Sequence, residues 1–128
     1  MKTLYILSAV VALAGALPVL AAEPCSIHPA KGMSDTQLMG LAKVSRAEAE
    51  KIAIASLKMK SGVSTSGAEL EAEHGCLLWS FDLRVAKKAG VEEVQIDAGN
   101  GKVLSVKHET PRQEAAEAKA EKSATSGK

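Results

Sequence analysis

A chain of 128 residues has room for one small domain, since domains usually run to roughly 100–150 residues, and two packed domains are excluded. Its 16 Lys and Arg against 15 Asp and Glu leave a net charge of +1, and setting aside Lys2 in the leading segment brings the balance to zero, so nothing calls for nucleic acid. The aromatic residues are Tyr5, Trp79 and Phe81, too few for a base-stacking platform.

Met1-Lys2 precedes an apolar run from Leu4 to Leu20 and a small-residue exit at Ala21-Ala22, the order of a secretory signal peptide. Residues 1–21 are therefore expected to be removed by cleavage near Ala21 or Ala22, leaving a periplasmic or secreted chain with no membrane attachment. The run of about 17 apolar residues would also suit a marginal uncleaved anchor, but Pro18 and the alanines favour secretion.

Two cysteines in an exported chain, Cys25 and Cys76, read first as one disulfide. It would close a loop of about 51 residues and contribute about 4 kcal/mol in the chain-entropy model. The rival reading takes Cys25-x-x-His28 and His74-x-Cys76 as two thiolates and two imidazoles for a soft metal, with His108 in reserve. These spacings match no familiar finger, and a disulfide would consume both sulfurs, so no cofactor is called for.

From Glu23 to Gly32 the chain carries Pro24 and Pro29 and no periodicity, which predicts an irregular arm over residues 22–40. Within it, Ser34-x-x-Gln37 has the form of a capping box before Leu38, Met39, Leu41 and Ala42, so either a short helix or a loose approach is expected, with Gly40 weakening the helix. Ser45-Arg46-Ala47-Glu48 is a stronger box. The apolar residues after it, Ala49, Ile52, Ala53 and Leu57, with Ala55 and Met59 beside them, share one face at a period of 3.6, while Lys51 and Lys58 take the other. An amphipathic helix over residues 45–60 follows, ended by Ser61-Gly62.

Beyond Gly62 the period becomes 2. Ala68, Leu70 and Ala72 alternate with Glu69, Glu71 and Glu73, which describes a strand with one buried and one wet, acidic face. After a turn at His74-Gly75, the residues Leu77, Trp79, Phe81, Leu83 and Val85 alternate with more polar ones in the longest strand. Glu92 to Asp97 makes a third strand with Val94 and Ile96 inward, and Gly99-Asn100-Gly101 a tight reversal into a fourth, Lys102 to His108. Residues 110–128 hold no bulky apolar side chain and predict a disordered charged tail with at most fleeting helix near residues 113–122.

These elements amount to an α+β fold, one main amphipathic helix packed on a roughly four-stranded antiparallel sheet. Its core is expected from Ile52, Leu57, Leu70, Trp79, Phe81, Leu83, Val94, Ile96 and Leu104, centred on the two rings.

The run Ala42-Lys43-Val44-Ser45-Arg46-Ala47-Glu48-Ala49-Glu50-Lys51-Ile52-Ala53, the Glu69-Leu70-Glu71 strand, the Trp79-Ser80-Phe81-Asp82-Leu83 strand and the ending Asp97-Ala98-Gly99-Asn100-Gly101-Lys102-Val103-Leu104 together resemble a PepSY domain, over residues 41–109. Such domains occur in the propeptides of thermolysin-like metallopeptidases, in a spore-cortex germination protein, in membrane proteins and as small secreted proteins. The resemblance implies a non-catalytic module that inhibits or modulates a peptidase, or senses and docks in the cell envelope. No His-Glu-x-x-His occurs in the chain, so a peptidase would be supplied in trans.

Three functional classes follow. The first is a binding module for an envelope protein, a peptidase or a sensor, with sheet edges open to an extended segment of the partner and Glu69, Glu71 and Glu73 as a steering surface, or else an ordinary solvated face. The second is a metal or haem protein built on Cys25, His28, His74, Cys76 or His108. The third, an enzyme, would have to use Asp82, Asp97, His74 and His108, which the pattern puts on wet faces or at strand ends without a nucleophile and base together. The Asp97–Gly101 turn also lacks the carboxylates of a calcium loop. A non-catalytic role is expected.

Overall fold

The computed structural model describes residues 24–59 and 61–125; the expected signal peptide, the helix end at Lys60 and residues 126–128 lie outside them. Three helices and four strands follow in the order α1 (Asp35–Leu41), α2 (Arg46–Ser56), β1 (Val63–Glu73), β2 (Cys76–Val85), β3 (Val91–Asp97), β4 (Val103–Glu109) and α3 (Pro111–Thr125). The strands form one antiparallel sheet in the order β1-β2-β3-β4. The architecture is α+β.

Both capping boxes form. The Ser34 N–H donates to Gln37 Oε1 at 2.9 Å, which fixes the start of α1, and the Ser45 N–H donates to Glu48 Oε2 at 3.0 Å, which fixes α2. Each box satisfies donors that a helix start otherwise leaves open. The α2 helix stops at Ser56, earlier than the pattern suggests, because Leu57 turns to extended backbone and drops into the core. Met59 consequently lies 59% exposed, and Ala55 is exposed as well.

Alternation sorts β2 into two faces. On one, Leu77, Trp79, Phe81, Leu83 and Val85 join Val94, Ile96, Ala49, Ala53 and Leu57 in the main core, with Ile52 and Leu70 partly buried against it. The indole and phenyl rings stack at 6.4 Å between centroids, and the Trp79 indole N–H donates to the Val44 carbonyl at 2.9 Å. On the other face, Cys76 and Leu78 pack with Cys25.

Leu104, expected in the main core, belongs to this second cluster. The β3–β4 register shifts between Gln95 and Ile96, so that Ile96 faces Val103, and the extra residue of the bulge turns Leu104 toward the disulfide. The first strand also starts earlier than its alternation suggests, at Val63, because a register shift between Thr65 and Gly67 hides the period. The His74-Gly75 turn takes positive φ at both residues, 50° and 79°, the pattern of a two-residue hairpin between strands of normal twist.

The stretch expected as a disordered tail is the 15-residue helix α3 through Thr125. Thr110 and Gln113 make a third capping box, the Thr110 N–H donating to Gln113 Oε1 at 2.9 Å, and Pro111 sits at the first helical position, where its missing N–H costs nothing. Without bulky apolar side chains the helix stays off the core, and no residue of α3 is buried.

Candidate functional site

Two places gather polar chemistry. The first is built on Asp97, whose side chain is 0% exposed. Its carboxylate accepts from the Ser26 N–H and the Ser26 hydroxyl at 2.6 Å each, from the Gly99 N–H at 2.7 Å and from the Asn100 N–H at 3.2 Å. Burial alone would push its pKa up, but these four donors hold it below the ordinary aspartate value, because hydrogen bonds to the charged form favour that form. The next residue extends the junction. Ala98 O accepts from the Lys43 and Val44 N–H groups at 2.9 Å, and the Ala98 N–H donates to Leu77 O at 3.1 Å.

The irregular arm is therefore held firmly. Cys25 and Cys76 form the disulfide, with Cα atoms 5.8 Å apart, and the Leu77 N–H donates to Ile27 O at 2.9 Å. A Cβ on Gly99 would stand 2.2 Å from Ser26 Oγ, so the arm can lie this close only over a residue without a side chain. The reversal after β3 is accordingly wider than an Asn-Gly hairpin, closed by the Asp97 N–H donating to Lys102 O at 2.8 Å.

The soft-metal set is not assembled as four ligands. Sulfurs of Cys25 and Cys76 and a ring nitrogen of His28 lie within 4.8 Å of one another, but the sulfurs are joined to each other, and His28 Nδ1 stands 2.9 Å from Gly75 O. His74 points elsewhere, 3.3 Å from Glu73. Disulfide sulfurs are poor ligands where thiolates are required, so this donor set does not fit a zinc or copper ion. The acid–base candidates are likewise dispersed: His108 pairs with Glu92 at 2.9 Å, Asp97 with Ser26, and none of these pairings joins one candidate to another.

The second place is the outer face of the sheet. Between it and α3 runs an open groove of about 710 Å³. The sheet lines it with Glu69, Glu71 and Glu73 from β1, Asp82 from β2, Glu93 from β3 and Glu109 from β4, alongside Lys107. The helix adds Glu114, Glu117 and Glu121, a stripe at helical spacing. Asp82 stands directly opposite Glu93 in the register, an arrangement that destabilises a sheet when both are charged.

Proton affinity rises accordingly. Burial lifts the Glu71 carboxyl, helped by Glu73, Glu69 and Glu93, and burial lifts Asp82, helped by Glu93, Glu114 and Glu69 against the pull of Arg84. Glu109 is pushed up to about 7, first by a hydrogen bond with Glu93, then by burial and by the charges of Glu117, Glu93 and Asp82. Around this cluster, Gln95 Nε2 donates to Glu73 at 2.7 Å and Glu93 at 3.0 Å, and Arg84 meets Glu114 at 2.9 Å.

The acidic row on β1 is readable from alternation; its continuation across three further strands and a helix is not. Helical spacing of Glu114, Glu117 and Glu121 is the signal that could have found the helical part. Comparison with models of protein families, with curated proteins and with solved structures finds no match. The disulfide is compatible with an extracellular or periplasmic location, and among the described residues no helix is long and apolar enough to cross a membrane.

Proposed function

We propose that the chain is an exported, non-catalytic binding module of the PepSY kind that docks on another envelope protein, a peptidase first among the candidates, and inhibits or otherwise regulates it in trans. The observation that carries this reading is β1, an 11-residue strand at the sheet edge that pairs with β2 along one side. A strand so placed can add an extended segment of a partner through main-chain hydrogen bonds. Glu69, Glu71 and Glu73 beside that edge favour a segment rich in lysine and arginine, since opposite charge steers encounter and penalises acidic competitors.

The test places a photo-reactive side chain in the cell at Ser64 or Ala72, both exposed on β1, and at Lys51 on the outer side of α2. The reading expects one shared adduct from the two β1 sites and none from Lys51. It also expects proteolysis by the envelope fraction to rise when the protein is deleted and to fall again when purified chain is added. Equal labelling from Lys51, or proteolysis that ignores the protein, overturns it.

A further inference from the structure

We propose that the segment docked on β1 alternates basic and apolar residues, because the open part of that edge has a carboxylate row on one face and an apolar groove on the other. The inference deepens the docking reading above and rests on it. Side chains along β1 alternate between the two faces of the sheet. Glu69, Glu71 and Glu73 line the outer groove, where Lys107 is the one cation among the described lining residues. Ala68 and Leu70 take the inner face. There a second, open groove of about 500 Å³ lies between β1 and the end of α1, lined also by Met39, Val44 and Trp79. Met39 is 56% exposed on its wall, an apolar surface at hand for an apolar side chain of an added strand. Lys43 and Arg46 line the same groove, so its charge is opposite to that of the outer face.

The edge itself selects the stretch that is used. From Gly67, opposite Asp82, to Glu73, opposite Cys76, β1 pairs with β2 in unbroken register, whereas the register shifts between Thr65 and Gly67. At that shift the Ser66 hydroxyl donates to Asp82 O at 3.1 Å, and the Thr65 hydroxyl donates to Glu50 of α2. A bulge blunts an edge against added strands. Ala68–Glu73 is therefore the stretch for ladder pairing, and the segment's flank passes Ser64 outside the ladder. An added strand takes over the side-chain alternation of β1. Its residues beside Glu69, Glu71 and Glu73 fall on the outer face, where basic side chains gain from opposite charge. Those beside Leu70 fall on the inner face, where basic side chains would meet Lys43 and Arg46 and forfeit apolar contact with Leu70 and Met39. A slip of one residue exchanges the two sets, so charge and apolar contact together fix the register.

Acetylated and amidated nine-residue peptides, titrated into the oxidised chain and followed by amide NMR, test this. A peptide alternating lysine and valine should bind about tenfold more tightly than one of the same composition with its lysines and valines in separate blocks, the sum of a few cross-strand pairs. It should slow amide exchange along Ala68–Glu73 and leave β4 unchanged, and methylating its backbone nitrogens should abolish that protection. A peptide alternating glutamate and valine should not bind. Met39→Gln, of similar size and at an exposed helical position, should weaken the alternating peptide about threefold through lost apolar contact and leave the blocked peptide unchanged. Equal binding of the alternating and blocked peptides, protection at β4 in place of β1, or indifference to Met39→Gln overturns the inference. The docking reading fails separately, when cross-linking from Ser64 and Ala72 captures no shared adduct. An adduct whose captured stretch lacks the alternation leaves docking standing and overturns the inference alone.

Discussion

Asp97 and Glu109 sit at the two ends of adjoining strands and carry the same chemical group, yet their surroundings drive them in opposite directions. Asp97 is buried among four donors and stays ionised; Glu109 is surrounded by other carboxylates and keeps its proton up to about pH 7. The difference separates a junction that locks the arm, the α1–α2 linker and β2 together from a face that is held loosely. Burial of a carboxyl decides little by itself. What it meets there decides whether it stabilises the fold or strains it.

Substitutions should divide along the same line. Trp79→Ala removes the stacked ring and the indole bond to Val44 and should cost about 3–5 kcal/mol, read as the shift in a chemical unfolding curve. Reducing the disulfide releases the arm and should cost up to about 4 kcal/mol in the chain-entropy model, measured by the same curve with and without a dithiol reductant. Asp97→Ala orphans the buried donors of Ser26, Gly99 and Asn100 and should cost about 2–3 kcal/mol. Amide exchange at residues 25–28 should accelerate in that variant more than at Phe81. A loss below about 0.5 kcal/mol, the range of an ordinary surface substitution, would erase the contrast between the two carboxyls. On the other side, Glu109→Gln should stabilise the protein at pH 8.5 by about 1 kcal/mol after allowing for solvent screening, a gain that shrinks to nothing as the pH falls below the ordinary glutamate value.

The pH profile combines both signs. Asp97 and Glu92 have lowered values, so what they contribute is present above the ordinary carboxylate range and is lost in acid. Burial works against the charged form in both, and the donors of Ser26, Gly99 and Asn100 around Asp97, with Lys88 and His108 around Glu92, prevail over it. Glu109, Glu71 and Asp82 have raised values, so what they contribute is present in acid and is lost as the pH rises, for Glu109 through about 7. Stability should therefore peak near the ordinary carboxylate range, at about pH 4.5, and fall both in stronger acid and as the pH rises toward 7, and thermal unfolding followed across pH 3–9 checks this.

Much of the fold was legible because it rests on periodicity. The alternation from Leu77 to Val85 and the Ser45–Glu48 box mark β2 and the start of α2 directly, and both cysteines pair as an exported chain suggests. The rest depends on encounters that no local pattern records. Ser26 and Asp97 are 71 residues apart, and Leu104 changes sides because of a bulge in the pairing, not because of its neighbours in the chain. The helix α3 escapes the compositional argument for a different reason: without bulky apolar residues, it starts on the Thr110–Gln113 box and Pro111, local signals that composition does not register. The acidic site was half legible, since the β1 row announces itself and the carboxylates facing it come from four other elements.

The contrast between the two carboxyls is most directly tested by following the side-chain carboxyl carbons of Asp97 and Glu109 by NMR from pH 2 to 9. The account predicts that Asp97 titrates below the ordinary aspartate value and Glu109 near 7. Ordinary titration of both groups, in the range of exposed carboxylates, would contradict it.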